Sequence, residues 1–201
     1  RSPSRGLGDV YKRQAYWNVR LLCSLFNFKE VRIHSKRPES RNAFAKRLEA
    51  DLQRKITVTD NWKDCIEGAD IVVEASRLIK PEPLLKTSWI KKGSLVMPYG
   101  TMSAIELNLT EIMDKVVMDD WGQAHGKFGS LRAHVDSGRV TSDNLHAELG
   151  EIVAGKKVGR TSDDENILFW HRGLSLSDIA LGHAMLEKSK TLKLGQRLRF
   201  Y

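Results

Sequence analysis

Apolar side chains at Tyr16, Val19, Leu22, Cys23 and Phe26 recur at three- and four-residue spacing between Ala15 and Phe28, which predicts an amphipathic helix. Glu30 to Ser35 alternates as a strand does. Pro38-Glu39-Ser40 then opens a second helix, whose Ala43, Phe44, Arg47 and Leu48 run to about Leu52. Ile56 to Val58 reads as a short strand, and Asn61 to Ile66 as a short helix with Trp62 inward, ended by Gly68. Ala69 to Ala75 is a nearly continuous apolar run, as expected of a parallel strand covered on both faces. Ser94 to Met97, after Leu84 to Lys91 and a turn at Gly93, is a second such run, and Lys115 to Asp119 a third.

Strands alternating with helices in this way predict a parallel α/β sheet of the doubly wound class. Beyond Gly126 the pattern becomes helical pieces at Ser130 to Asp136 and Ser142 to Ala154, then a loop from Gly155 to Asp163. A strand-like Ile167 to Trp170 follows, and then a helix from Leu176 to Lys190. That last helix carries Ile179, Met185 and Leu186 along one side, with Leu181 and His183 close by, so it is expected to dock on something.

Composition narrows the function classes. The 201 residues, 41% of them hydrophobic, suffice for one sizeable domain or for one domain with an appendage. The longest apolar stretches, such as Leu21 to Phe26 interrupted by Ser24, fall short of the ~20 residues that cross a bilayer, so no membrane span is expected. Cys23 and Cys65 stand far apart without metal-ligand spacing, which argues against a disulfide framework or a metal site and points to the cytoplasm. The net charge of +8 raises nucleic acid as a partner, but the basic residues are dispersed among 25 acidic ones. Part of the excess lies in the first 14 residues and in Lys188 to Arg199, and a solvated surface is the reading preferred.

Residues 1–14, RSPSRGLGDVYKRQ, have neither helical nor strand periodicity, no initiator Met and no signal-peptide core. Asp9 to Gln14 resembles the translation of a transposon-end sequencing adapter, and the segment is set aside from the fold. Gly6-Leu7-Gly8 lacks a preceding strand and a third glycine, so it reads as a flexible arm and not as a phosphate-binding loop.

Two stretches are more specific than the pattern. Ala147-Glu148-Leu149-Gly150-Glu151-Ile152-Val153-Ala154-Gly155-Lys156, followed by Gly159-Arg160-Thr161-Ser162-Asp163-Asp164-Glu165, resembles the signature of the ornithine cyclodeaminase/mu-crystallin family. Val31 to Glu39 with Ala43-Phe44-Ala45 is similar to that family's second strand and helix, and Gly68 to Ala75 to a later strand of its sheet. The similarity runs from Ala15 to about Ala184 and implies a partial NAD(P)-binding Rossmann domain over 15–165. Residues 166–201 are expected to return to a second domain, which binds substrate and dimerises. If Ala15 begins the first Rossmann helix, the chain is a fragment without the central first strand and the glycine-rich loop. The expected fold is then a Rossmann-type doubly wound sheet, split so that Ile33 and Val72 lose their neighbour. Such a chain is expected to be poorly soluble, to bind no dinucleotide and to be inactive.

The resemblance also assigns candidate site residues. At the end of the family's second strand an acid holds the ribose hydroxyls of NAD(H), whereas basic and hydroxyl side chains accommodate the 2′-phosphate of NADP(H). Here Ser35, Lys36 and Arg37 stand there with no acid before Glu39, which favours NADP(H) over NAD(H); an ordinary basic turn is the other reading. Ser76 either lines the dinucleotide or caps a turn. Gly100, in Tyr99-Gly100-Thr101-Met102-Ser103, is a further cofactor contact. Cyclodeaminases of the family carry Gly-x-Asp in this segment, and Met102 stands where the Asp would align, so cyclisation of ornithine itself is not expected.

Asp119 and Asp120 contact ribose or substrate, or else serve as helix cap and surface carboxylate. Gly173 approaches the nicotinamide through its backbone, and His171 is a proton donor or a structural partner of Phe169 and Trp170. The blocks from Tyr99 to Ala104, Asp119 to Gln123 and Phe169 to Gly173 also resemble a branch of the family named for the second component of a tyramine oxidase. The expected function is oxidoreductase or deaminating chemistry on an amine or amino/imino acid in a homodimeric parent protein. The alternative is a non-catalytic NADP(H)-binding or accessory protein, as in mu-crystallin.

Overall fold

The structure, a computed structural model, describes residues 8–76, 78, 80–99, 104–124, 132–196 and 198–199. Helix α1 (Gly8–Leu25), strand β1 (Arg32–Ile33), helix α2 (Pro38–Leu52) and strand β2 (Thr57–Val58) come first. Helix α3 (Trp62–Ile66) leads to strands β3 (Ile71–Glu74), β4 (Leu95–Pro98) and β5 (Lys115–Met118). Short helices α4 (Trp121–Ala124) and α5 (Arg132–Asp136) follow, then strand β6 (Ala147–Glu148), helix α6 (Leu149–Val153), strand β7 (Ile167–Trp170) and helix α7 (Ser175–Leu192).

Local chemistry sets several of these boundaries. Pro38 opens α2, where its missing N–H costs nothing, and Gln53 in the left-handed region closes it by donating its N–H to the Glu49 carbonyl. Asn61 caps α3 by accepting the Asp64 N–H at 2.8 Å. Helix α1 takes in Gly8 to Gln14, which the sequence pattern places outside the fold; no Gly or Pro interrupts Asp9 to Leu25.

Among the described residues all strand pairings are parallel, as expected, and they form two sheets: β1 with β2, and a five-stranded sheet in the order β3-β4-β7-β5-β6. Two features depart from the sequence reading. Ile167 to Trp170, assigned to a segment leaving this domain, lies between β4 and β5. Its unbroken apolar run suits a strand covered on both faces, and Leu168 is fully buried there. The expected helix from Ser142 is instead β6 followed by the five-residue α6. Ala147 and Glu148 pair with Val117 and Met118, and the Glu151 carboxylate accepts the Glu148 N–H at 3.0 Å.

Each sheet has its own core. Tyr16, Ile33, Ala45, Leu48 and Ile56 cluster around β1 and β2, and a larger cluster that includes Val72, Val96, Met118, Leu168 and Trp170 fills the five-stranded sheet. The division runs between the strands that hold Ile33 and Val72, as expected. Neither side chain is uncovered, however, since both are 7% exposed and Ile33 packs in one cluster with Tyr16 and Val19 of α1. Arg32 ties the units together by donating to the Asp64 and Glu67 carbonyls at 2.6 and 2.9 Å, and the His34 ring meets Trp62 edge-on.

Helix α7 buries none of its side chains, and Leu176, Ile179, Leu181, Met185 and Leu186 are all exposed. Among the described residues no helix is long and apolar enough to cross a membrane, and no cluster of His, Cys, Asp and Glu is arranged to hold a metal ion.

Candidate functional site

Strands β1 and β2 pair in one sheet and β3 and β4 in the other, both pairs parallel. In open α/β sheets ligands bind outside the carboxyl ends of the strands. Two groups of candidate residues lie at these carboxyl ends.

The first is the turn between β1 and α2. The Ser35 hydroxyl donates to the Arg37 carbonyl at 3.3 Å, and Arg41 donates to the Ser35 carbonyl at 3.3 Å, which fixes the turn. Lys36 and Arg37 are exposed, and Arg37 occupies the cap position of α2. Lys36 Nζ sits 2.9 Å from Glu82 Oε2, which comes from the segment after β3. Along the sequence the first acid after these cations is Glu39, whereas the acid that meets Lys36 is Glu82, 46 residues away. The readable signal was an acid held between Pro81 and Pro83 beyond the carboxyl end of an apolar strand.

The second group forms where β4, β7 and β5 end. Asp119 is buried beyond β5; its Oδ2 accepts the N–H groups of Arg172 and Gly173 at 2.8 and 2.6 Å, and its Oδ1 accepts the Asp120 N–H at 3.0 Å. His171 Nδ1 approaches Asp119 Oδ2 to 3.3 Å, an ion-pair distance without good hydrogen-bond alignment. Burial pushes the Asp119 carboxyl up, but His171 and the Gly173 and Arg172 amides outweigh it and hold the group below the usual carboxylate range. The His171 ring lies edge-on to Tyr99 at 5.1 Å and beside Phe169 at 5.6 Å. The Tyr99 hydroxyl donates to Asn18 Oδ1 of α1 at 2.9 Å, and burial raises its pKa. Neither Tyr99 nor Asn18 was singled out from sequence; their pairing across 81 residues has no local signature.

The remaining candidates separate. Asp120 Oδ1 accepts the Gln123 N–H at 2.6 Å and so acts as a cap for α4. Ser76 is half-buried, with its N–H on the Glu74 carboxylate at 2.5 Å. Gly100 and Met102 lie outside the described residues. Gly173 has φ +101, which favours glycine, and no atom lies within 4 Å of where a Cβ would stand.

A nicotinamide dinucleotide fits this set. The aromatic faces of Tyr99 and His171 and the open space at Gly173 suit a flat ring at one end, while a hydroxyl and two cations suit a phosphate at the other. The larger sheet's edge offers a buried carboxylate with a partly exposed imidazole beside it, and the smaller sheet's edge a solvated cationic turn. The first can therefore orient one polar ring and the second neutralise one anion.

The second half of the most family-specific stretch, Gly159 to Glu165, lies elsewhere, at the amino ends of the strands. Lys115 Nζ, at the start of β5, donates to the Gly159 carbonyl at 2.7 Å and to both Glu165 oxygens at 2.8 and 2.9 Å. Thr161 adds its hydroxyl and its N–H to the same carboxylate. Lys115 and then Thr161 pull the Glu165 pKa down to about 2. Asn166 bridges the Ser94 N–H and the Ile112 carbonyl, and Gly93 (φ +83) is so close to the Asp163 carbonyl that a Cβ would stand 2.2 Å from it. An open polar cleft of about 440 Å³ lies here, but its Glu165, Asp164 and Asn166 are already engaged in this latch. This half of the signature therefore locks a loop onto the sheet on the edge opposite the candidate site, while Ala147 and Glu148 of the other half pair with the end of β5 and Glu148 accepts the Trp121 N–H at 2.9 Å.

The model of the ornithine cyclodeaminase/mu-crystallin family matches residues 11–192. N-((2S)-2-amino-2-carboxyethyl)-L-glutamate dehydrogenase of Staphylococcus aureus is 28% identical over 71% of this chain and 42% of its own length. Alanine dehydrogenase of Archaeoglobus fulgidus is 28% identical over 94% of this chain and 58% of its own length. The chain thus spans about half the length of the curated relatives it matches. Among solved structures, Thermococcus litoralis Δ1-pyrroline-2-carboxylate reductase in complex with NADH and L-proline has the same fold, with a TM-score of 0.83 at 24% identity, over 92% of this chain and 58% of that one.

Proposed function

Since the chain belongs to the ornithine cyclodeaminase/mu-crystallin family, we propose that it is the dinucleotide-binding part of an NAD(P)-dependent oxidoreductase acting on an amino or imino acid. The observation that carries this reading is that a cationic turn and the Tyr99–His171–Asp119 group both stand at carboxyl ends of parallel strands, the first in the two-stranded sheet and the second in the five-stranded one. A nicotinamide dinucleotide, when bound, supplies or accepts the hydride. Ser35, Lys36 and Arg37 hold its adenosine end, and the cations favour NADP(H). Gly173 leaves room for the ring, and Asp119 positions the 171–173 backbone and the His171 imidazole. With Nδ1 turned to Asp119, His171 keeps Nε2 to hold or give the proton that an imino nitrogen takes up on reduction.

The partners proposed are a small amino or imino acid and a second copy of the protein, in the cytoplasm. The boundaries at 15–165 and 166–201 remain the proposed domain division, with β7 shared by the sheet. The exposed apolar residues of α7 support pairing through that helix, and light scattering of the whole protein should report a dimer at micromolar concentration. The activity test is reduction of a cyclic imino acid by the whole protein with NADPH, followed as loss of reduced nicotinamide. Turnover that falls strongly in His171→Ala supports the reading. Saturable NADP(H) binding without turnover on any imino or amino acid would favour the non-catalytic, mu-crystallin-like alternative.

A further inference from the structure

The acid missing from the β1–α2 turn is supplied from elsewhere in the fold. Glu82 follows β3, at the carboxyl end of the five-stranded sheet, and its Oε2 lies 2.9 Å from Lys36 Nζ, on the turn that follows β1. This ion pair therefore ties the turn after β1 of one sheet to the segment after β3 of the other. Both side chains remain well exposed, 65% for Lys36 and 43% for Glu82, so the pair is a weak one that a stronger anion can displace. Pro81 and Pro83 on either side restrict the backbone that presents Glu82.

We infer that Glu82 sets the choice between the two dinucleotides by competing with a 2′-phosphate for Lys36. The inference rests on the dinucleotide reading above. With NADP(H) the phosphate takes Lys36 and leaves the Glu82 carboxylate beside a like charge. With NAD(H) the ion pair stays intact, and the carboxylate can accept a ribose hydroxyl. Glu82 thus works against the preference that Lys36 and Arg37 create, and the observed selectivity is the difference between two opposing groups.

The test is calorimetric titration of the whole protein with NADP+ and with NAD+, for wild type, Glu82→Gln and Lys36→Ala. Glu82→Gln should tighten NADP+ and leave NAD+ unchanged or weaker, moving the ratio of dissociation constants on the order of tenfold towards NADP+. Lys36→Ala should move the ratio the other way. If Lys36→Ala moves the ratio and Glu82→Gln does not, the role of Glu82 is overturned while the dinucleotide site stands. If wild type binds neither dinucleotide, the site reading and the inference fall together. Thermal melts of both variants should match wild type, because both positions are solvent-exposed.

Discussion

The five-stranded and two-stranded sheets are both parallel, yet they prepare their carboxyl ends in opposite ways. In the larger sheet two polar groups beyond the strands are drawn out of bulk water and paired: Asp119 accepts three backbone N–H groups and the Tyr99 hydroxyl meets Asn18. In the smaller one the turn beyond β1 carries its cations in solvent, and only an exposed carboxylate opposes Lys36. The large sheet has paired strands on both flanks of β4, β7 and β5, so its ends are held rigidly. The small sheet has two residues in each strand and relies on α1 and α2 for its core. One carboxyl edge is thus built by packing and fixed hydrogen bonds, and the other by charge. Mutations at the first should cost stability, and mutations at the second should cost binding.

Truncations in the two cores give the largest effects. Leu168→Ala and Leu48→Ala each remove a fully buried side chain, one from each cluster, and each should lower unfolding free energy by about 2 to 5 kcal/mol in urea titrations. Spectroscopic probes placed in both sheets should lose signal together if the ties from Arg32 and His34 couple the units. Separate transitions would divide the molecule more deeply than its ties suggest.

Asp119→Ala comes next. It leaves the buried-edge N–H groups of Arg172 and Gly173 without an acceptor, at a cost of about 2 to 4 kcal/mol. Because the folded pKa of Asp119 lies below its unfolded value, the charge-dependent part of this stabilisation is complete above the unfolded pKa of about 3.9 and is lost as pH falls through the folded value. The gap between wild type and variant should therefore narrow at acid pH, and the neutral carboxyl should keep the remainder as an acceptor.

The solvated end should behave the other way. Changing Lys36 and Arg37 together to Ala should alter stability by no more than about 0.5 kcal/mol. The same change should weaken NADP(H) binding by about 1 to 3 kcal/mol, and NAD(H) binding much less. An equal loss for both cofactors would remove the charge-based account of this end.

The smallest effect concerns His134, fully buried in the larger sheet's half with its Nε2 3.3 Å from the Glu106 carbonyl. Burial lowers its pKa, so the unfolded chain binds the proton more readily. Stability should fall as pH drops below about 6.5, by at most about 1.4 kcal/mol per pH unit, until the folded pKa is reached. His134→Gln should flatten that slope in a stability profile between pH 7 and 5.

The sequence made the repeating elements legible and left their lateral arrangement hidden. The apolar runs at Ile71 to Glu74, Leu95 to Pro98 and Ile167 to Trp170 announce covered strands, and Pro38 and Asn61 mark helix starts, because these signals are local. Placing β7 between β4 and β5 depends on which flanks are vacant after the other strands pair, and no residue within Ile167 to Trp170 encodes that. Strand β6 was invisible because Ala147 and Glu148 are extended only through their pairing with Val117 and Met118. At the site, Ser35 to Arg37 could be read from position alone. The partners that decide their chemistry, Glu82 for Lys36 and Asp119 for the 171–173 backbone, arrive from 46 to 54 residues away.

The central claim is that these two unlike ends face one dinucleotide, and amide chemical-shift mapping of the whole protein during NADP+ titration tests it most directly. The account predicts saturable shifts in two groups, at Ser35 to Arg37 and at His171 to Leu174, with little change around Lys92 and Asp164 at the amino edge. Shifts concentrated at Lys92 and Asp164, or confined to one of the two groups, would contradict it.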